Sequence, residues 1–213
     1  MKLFLVGASG SIGSRILKEA LSRGHQVTAV ARHLPETETQ AGLTWVQADV
    51  KDIQNSVKLA KGCDVLVSSL SPRAEGGERQ YLQAVQAILE VVCLTEIGYV
   101  LFVGGASCLE VAPGQRVLDV KRQELLKNNF MEPFQVAEAL DKIAASEVNW
   151  TFFCPAGMIR PGQRTGEFRL GGRQPLSIPE GQVPTISMED YAVAVLDEME
   201  QPVHQRQIFN IAY

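Results

Sequence analysis

The sequence has no closely spaced cysteine pair. Cys63, Cys93, Cys108 and Cys154 are its four cysteines, and they lie far apart. That spacing argues against a disulfide framework or a zinc ribbon, and the apolar runs around three of them predict buried, reduced thiols and no metal site. No apolar run approaches the ~20 residues of a membrane span. Gly7 also interrupts Leu3–Val6 before a signal-peptide core of about 7–15 residues can build, so a cytoplasmic protein with no membrane association is expected. Positive charge is not in excess either. With 20 Lys and Arg against 24 Asp and Glu the formal net charge is −4, which leaves no overall positive field to draw in nucleic acid. A small-molecule partner is the expectation, and composition leaves the oligomeric state open. The chain has no internal repeat and no low-complexity tail, and 46% hydrophobic residues among 213 suffice for one substantial core.

Against those absences stands a regular alternation. Short apolar runs at Leu3–Val6, Val27–Ala31, Leu43–Val46, Val65–Val67, Val100–Val103 and Trp150–Phe153 are separated by helical patterns. Such alternation predicts an α/β fold, a doubly wound parallel sheet with helices on both faces. A first helix is expected over about Ser11–Arg23, with Ile12, Ile16, Leu17, Ala20 and Leu21 on one stripe and Gly24 as its stop. Leu82, Val85, Ile88, Leu89 and Val92 predict another over about Gly77–Leu94. After Pro155 the texture changes. Gly and Pro punctuate residues 156–186, which read as a shaped, loop-rich substrate side of the same fold with a small hairpin. Order returns at Ser187, an N-cap followed by Glu189 and Asp190 in a helical first turn, and Gln207–Ala212 is a last short strand. One domain spanning residues 1–213 is expected.

Between the first strand and first helix lies Gly7-Ala8-Ser9-Gly10-Ser11-Ile12-Gly13. A glycine turn at this junction lets the backbone approach a pyrophosphate, whose charge the helix's first N–H groups and dipole offset. Gly7 would allow the tight turn, Gly10 leave room for the phosphates, and Gly13 let helix and strand pack closely. About 20 residues past such glycines an acid selects a free ribose 2′-hydroxyl and an arginine accommodates a 2′-phosphate. Here the second strand ends in Ala31-Arg32-His33, so Arg32 favours NADP(H) over NAD(H), unless it is a solvated arginine beside the Pro35–Gln40 loop. Ser107 follows the Gly104-Gly105 turn at the carboxyl end of the fifth strand, the edge where doubly wound sheets bind ligands.

The pattern resembles the atypical short-chain dehydrogenase/reductase branch, in particular its NADH-flavin reductase group, akin to NmrA-like and biliverdin/flavin reductase proteins. The likeness rests on the glycine turn together with Gln47-Ala48-Asp49-Val50, Val103-Gly104-Gly105-Ala106-Ser107, Pro161-Gly162-Gln163-Arg164-Thr165-Gly166 and Ile186-Ser187-Met188-Glu189-Asp190-Tyr191-Ala192. It implies that Asp49 and Val50 lie beside the adenine, and that Ser68, Ser69 and Leu70 run along the ribose and nicotinamide. Pro155, Ala156, Gly157 and Met158 would border the nicotinamide, and Ser107 matches the family's catalytic serine. The alternatives are strand-end caps, core residues and turn residues. Asp49 in particular could cap a helix over Lys51–Ala60.

One departure stands out. The Tyr-x-x-x-Lys pair that supplies a proton donor in typical members is missing; the expected helix reads Phe134-Gln135-Val136-Ala137-Glu138. Flavin or quinone reduction needs that tyrosine less, because a hydride can pass directly to an electron-poor ring and a solvent proton can follow. The resemblance thus implies an NADPH-dependent reductase acting on a flavin, quinone or similar conjugated acceptor. A non-catalytic NADP(H) sensor acting through a protein partner is the alternative, with an epimerase or dehydratase as the third reading. Arg160, Arg164 and Arg169 either hold an anionic acceptor such as a flavin phosphate or are solvated and paired with Glu167 and nearby acids, and Tyr191 is expected to pack.

Overall fold

The structure, a computed structural model, describes residues 1–36, 40–73, 78–179 and 181–213, apart from the side chains of residues 78 and 79. The middle of the Pro35–Gln40 loop and the expected helix start at Gly77 lie outside the described residues. In β1 (Lys2–Val6) every residue after Lys2 is buried. Leu3 and Leu5 pack into one apolar layer while Phe4 and Val6 pack into another, because successive side chains of a strand point to opposite faces. The strand is followed by α1 (Ser11–Ser22), β2 (Gln26–Ala31), β3 (Leu43–Gln47), α2 (Ile53–Ala60), β4 (Val65–Ser68), α3 (Glu78–Cys93) and β5 (Tyr99–Val103). A 3₁₀ turn at Ala106–Cys108 leads to β6 (Glu110–Ala112), β7 (Gln115–Arg116), α4 (Val117–Lys127), α5 (Glu132–Ala145), β8 (Trp150–Cys154), β9 (Met158–Arg160) and β10 (Arg169–Gly171). The chain ends with β11 (Thr185–Ser187), α6 (Met188–Glu200) and β12 (Gln207–Ala212).

Eight strands form one sheet in the order β10-β12-β8-β5-β4-β1-β2-β3. Every neighbouring pair is parallel except β10 with β12, which is antiparallel at the edge. The apolar runs therefore become the strands expected of them, each lengthened by one residue. Helices α1 and α6 pack together on one face, through Ile16, Leu17, Tyr191, Val195 and Leu196, while α2, α3 and α5 cover the other through Ala60, Val85, Ile88, Leu140 and Ile143. Strand order reverses between β4 and β1, so the chain leaves their carboxyl ends in opposite directions and opens a crevice there.

Several expectations are corrected. Residues 156–186 hold no hairpin among the described residues. β9 instead pairs in parallel with β11, and β10 pairs with β12. The hairpin is β6–β7, antiparallel and irregular, just after the 3₁₀ turn. Asp49 does not cap α2: the cap is Asp52, which accepts from the Asn55 N–H at 3.1 Å, while Asp49 accepts from the Lys51 N–H at 3.0 Å. Cys63, Cys108 and Cys154 are buried, but Cys93 is exposed at the end of α3.

The loop-rich segment is fastened to α1 and α6 by carboxylates. Ser187 caps α6 by accepting from the Asp190 N–H at 2.9 Å, which places the Asp190 side chain, fully buried, under the loop. Asp190 accepts from the Thr165 N–H and hydroxyl at 2.7 Å each, the Gly166 N–H at 2.8 Å and the Tyr213 hydroxyl at 2.7 Å. Burial pushes its pKa up, but these donors outweigh burial and hold the carboxyl below its ordinary value. Glu189 likewise accepts from the Gly162 N–H at 2.8 Å and from Arg15 at 3.1 Å.

Candidate functional site

The turn after β1 is built for close approach. Gly7 has φ +81°, a left-handed conformation that a side chain disfavours, and a Cβ there would sit 2.7 Å from the Ser69 carbonyl oxygen. At Gly13 a Cβ would lie 2.1 Å from the Gly7 carbonyl oxygen, so only glycine lets α1 start this near the strand. Gly10 is different. Its φ of −75° suits any residue, and an added Cβ would meet only the Gly7 oxygen, at 3.2 Å. The N-cap of α1 is Gly10 itself, which offers no side chain, and no acid stands in the first turn. The leading N–H groups of a twelve-residue helix therefore have no capping side chain, and the helix's positive end faces the crevice where Gly10, Ser11 and Ile12 line it. These features fit the pyrophosphate of a dinucleotide.

A cleft of about 810 Å³ runs along the carboxyl ends of the strands. That volume lies in the usual range for small-molecule and cofactor sites, roughly 300–1,000 Å³. It gathers most of the residues singled out from sequence: Gly7, Ser9, Gly10, Ser11, Ile12, Arg32, Asp49, Val50, Ser69, Leu70, Ser107, Pro155 and Ala156. Gly13 stands behind the turn. Ser68 does not line the cleft; as the last residue of β4 it is buried within the sheet, and the chain turns into the cleft only at Ser69. Met158 is likewise outside the lining, whereas Gly157 is part of it.

The three loop arginines proposed as anion holders are not cleft residues. Arg164 forms a two-pronged pair with Glu19 of α1, both contacts 2.8 Å, and Arg23 reaches the same carboxylate at 2.8 Å. Arg169 donates to the main-chain oxygens of Ser177 and Tyr213, at 3.1 and 2.7 Å. The acid partner of Arg164 is thus Glu19, not Glu167. The cations at the far end of the cleft are instead Arg73, paired with Glu132 and 5.5 Å from the Phe130 ring centre, and Lys121 of α4.

Ser107, half-buried in the 3₁₀ turn, faces this far end together with Tyr81, Leu118, Leu125, Phe130, Pro133 and Val136. The result is a chamber whose walls are largely apolar, with Ser107, Tyr81, Lys121 and the Arg73–Glu132 pair as its polar groups, wide enough for a flat ring. Cys108 beneath Ser107 is not a nucleophile at neutral pH, because burial pushes its thiol up to about 12. The helix directly following Ser107 is α4, not the segment around Phe134, which belongs to α5; α4 reads VLDVKRQELLK and carries no tyrosine either. Sequence reading missed α4 because only Leu118 along it is buried, leaving no apolar stripe. Tyr81 had a signal: it precedes Val85 by four residues, on the stripe that predicted α3. Tyr191 packs as expected, fully buried, stacked on Phe153 and donating to the Phe153 carbonyl at 2.6 Å.

Comparison with known proteins agrees with this geometry. A family model described as NAD(P)H-binding matches residues 7–199. The uncharacterized Bacillus subtilis protein YwnB is 32% identical, across 99% of this chain and 98% of its own length. A crystal structure from Bacteroides thetaiotaomicron, named as an epimerase, is 35% identical, with a TM-score of 0.88 over 100% of this chain and 96% of the other. A Streptococcus pneumoniae structure, named as an NADH-flavin reductase, is 25% identical, with a TM-score of 0.85 over 100% of this chain and 99% of the other.

Proposed function

The chain belongs to the NAD(P)H-binding family, in its atypical short-chain dehydrogenase/reductase branch, and from that premise we propose that it is an NADPH-dependent reductase of a flavin, quinone or similar small conjugated ring. The observation that carries the reading is one continuous cleft with a phosphate-type glycine turn at one end and an apolar chamber beside Ser107 at the other. The uncapped start of α1 would hold the pyrophosphate, with Asp49 and Val50 beside the adenine and Pro155 and Ala156 beside the nicotinamide. When bound, the reduced nicotinamide would supply one hydride, that is two electrons and one proton, to the acceptor. The protein's own residues orient the acceptor: Leu118, Leu125 and Val136 exclude water, and the Ser107 hydroxyl offers a hydrogen bond to a ring carbonyl or to the nicotinamide amide.

NADPH oxidation measured against FMN, riboflavin and small quinones tests the reading. Turnover with at least one acceptor is expected, and Ser107→Ala should slow it about tenfold or more while leaving NADPH affinity within about twofold. Tight NADPH binding with no acceptor reduced would move the function to a redox sensor. The missing Tyr-x-x-x-Lys pair favours that alternative. An epimerase, the name carried by the Bacteroides structure, would consume no net NADPH in the same assay.

Preference for NADPH rests on Arg32, at the end of β2 on the cleft. Arg32→Ala should weaken NADPH binding about tenfold and leave NADH binding nearly unchanged, because a charge-assisted bond to the 2′-phosphate is worth roughly 1.5–3 kcal/mol. Calorimetric titration of both cofactors reads the ratio. An unchanged ratio would remove Arg32 as the discriminator.

A further inference from the structure

The chain has four tyrosines, and three of them satisfy their hydroxyls inside the fold. Tyr191 donates to the Phe153 carbonyl at 2.6 Å, Tyr99 to the Glu198 carboxylate at 2.8 Å, and Tyr213 to Asp190 at 2.7 Å. Tyr81 is the exception. Only 3% exposed, it has no hydrogen-bond partner for its hydroxyl among the described residues, and it forms part of the cleft wall on the same chamber as Ser107. Its oxygen is not among the fully enclosed side-chain atoms that lack a partner, so the hydroxyl opens on the cleft, and the hydroxyl of a largely buried tyrosine generally finds a partner. The placement makes sense if the partner is a ligand.

We propose that Tyr81 is a catalytic residue whose O–H donates to the acceptor's carbonyl oxygen, or the equivalent ring nitrogen, as the acceptor is reduced. This rests on the reductase reading and goes further by naming the donor that replaces the missing tyrosine motif. The acceptor gains one hydride, two electrons and one proton, from the reduced nicotinamide, which is oxidised, and is left with one negative charge on its heteroatom. Tyr81 stabilises that charge without giving up its proton, and a solvent proton then completes the reduction.

The surroundings suit a donor that stays neutral. Burial, with the nearby Glu132 and Cys108 pushing the same way, raises the phenol well above its ordinary value, so it remains protonated throughout the working pH range. A fixed neutral donor in a water-poor chamber stabilises developing negative charge more strongly than the same group does in water. Ser107 approaches from the 3₁₀ turn and Tyr81 from α3, so two separate elements present the chamber's hydroxyls. The tyrosine therefore comes from a helix that precedes the serine in sequence, where a motif search on the following helix does not look.

Tyr81→Phe keeps the ring and removes the hydroxyl. With the intact protein, kcat for the acceptor should fall about tenfold to a hundredfold, with KM for NADPH unchanged and KM for the acceptor changed less than about threefold. Wild-type kcat should show no alkaline loss arising from Tyr81 ionisation. A hydroxyl with no part in the reaction predicts unchanged kcat, and that result overturns the assignment. The second readout needs no turnover. A hydroxynaphthoquinone bound with NADP+ should ionise more readily in wild type than in Tyr81→Phe, by about one pKa unit in its absorbance titration. Tyr81-dependent ionisation in a protein that reduces nothing would sink the reductase reading while the hydrogen bond stands. Equal kcat and equal ionisation in the two proteins overturn Tyr81, and failure of every ring compound to react or bind overturns both.

Discussion

Gly13→Ala is expected to lower the unfolding free energy by about 3 kcal/mol and to weaken NADPH binding at least about tenfold. The added methyl would stand 2.1 Å from the Gly7 carbonyl oxygen and 2.9 Å from its carbonyl carbon. Both are backbone atoms of a turn that is already pinned. Gly10 N–H donates to that same Gly7 oxygen at 3.0 Å, and Gly7 N–H donates to Val30 at 3.3 Å. Nothing flexible can yield, so α1 must move away from β1. That shift would loosen Ile16, Leu17 and Ala20 from their layer and carry the helix N-terminus away from the phosphate position. Gly10→Val provides the contrast. Its first carbon meets only one atom, at 3.2 Å, so stability should stay within about 1 kcal/mol of wild type while the branched side chain occupies the space where a phosphate would sit and abolishes binding. Urea unfolding and NADPH titration separate the two. If Gly13→Ala matched wild type in both, the close approach of helix and strand would be wrong; if Gly10→Val still bound NADPH, the phosphates lie elsewhere.

Asp190→Asn should cost about 3 kcal/mol at neutral pH and should flatten part of the acid limb of stability. The carboxylate accepts from two N–H groups and two hydroxyls, all within 2.8 Å. An amide in its place loses the charge and turns one acceptor into a donor facing other donors. The pH dependence has a definite sign. A carboxyl held below its unfolded pKa contributes stability that is complete above that unfolded value, about 3.9 for aspartate, and that disappears as pH falls through the folded value. Wild type should therefore lose stability from about pH 5 downward more steeply than the variant. Glu19 and Glu189 are also held low, the first by Arg164 and the second by the Gly162 N–H and Arg15 against the effect of burial, so an acid limb remains in Asp190→Asn. The difference between the two curves isolates Asp190. An equal difference between the two proteins at pH 7 and at about pH 2 would mean that its charge does not hold the loop. Because the loop carries β9, which pairs with β11 beside the cleft, NADPH oxidation should fall in this variant even where the fold persists.

Much of this architecture could be read in order along the chain. Strands buried on both faces leave uninterrupted apolar runs, and β1, β4, β5 and β8 are of that kind. The glycine turn was legible because its chemistry is local. Gly10 and Gly13 serve the Gly7 carbonyl and one helix end, so spacing identifies the turn, although Gly7 itself is also held against the distant Ser69 carbonyl. Helix α4 was not legible, since a helix that buries a single side chain leaves no periodic apolar stripe in its sequence. The sequence left the loop arginines between an anionic acceptor and nearby acids, and the particular acid that Arg164 pairs with was not legible for a related reason. Glu19, which Arg164 grips, is 145 positions away, and no local pattern announces an ion pair between a loop and the back of the first helix.

The sequence by itself determined the alternating elements, the parallel sheet and the glycine turn after β1, because each depends on periodicity or on residues close together in the chain. Tertiary structure decided the opposite end of the cleft. Tyr81 on α3, Ser107 on the 3₁₀ turn, Lys121 on α4 and Glu132 on α5 share a cleft only because four separate segments converge beyond the carboxyl edge of one sheet. That convergence comes from packing α3 against α5 and from the way the chain leaves β4 and β5, neither of which is written in the spacing of the residues it unites.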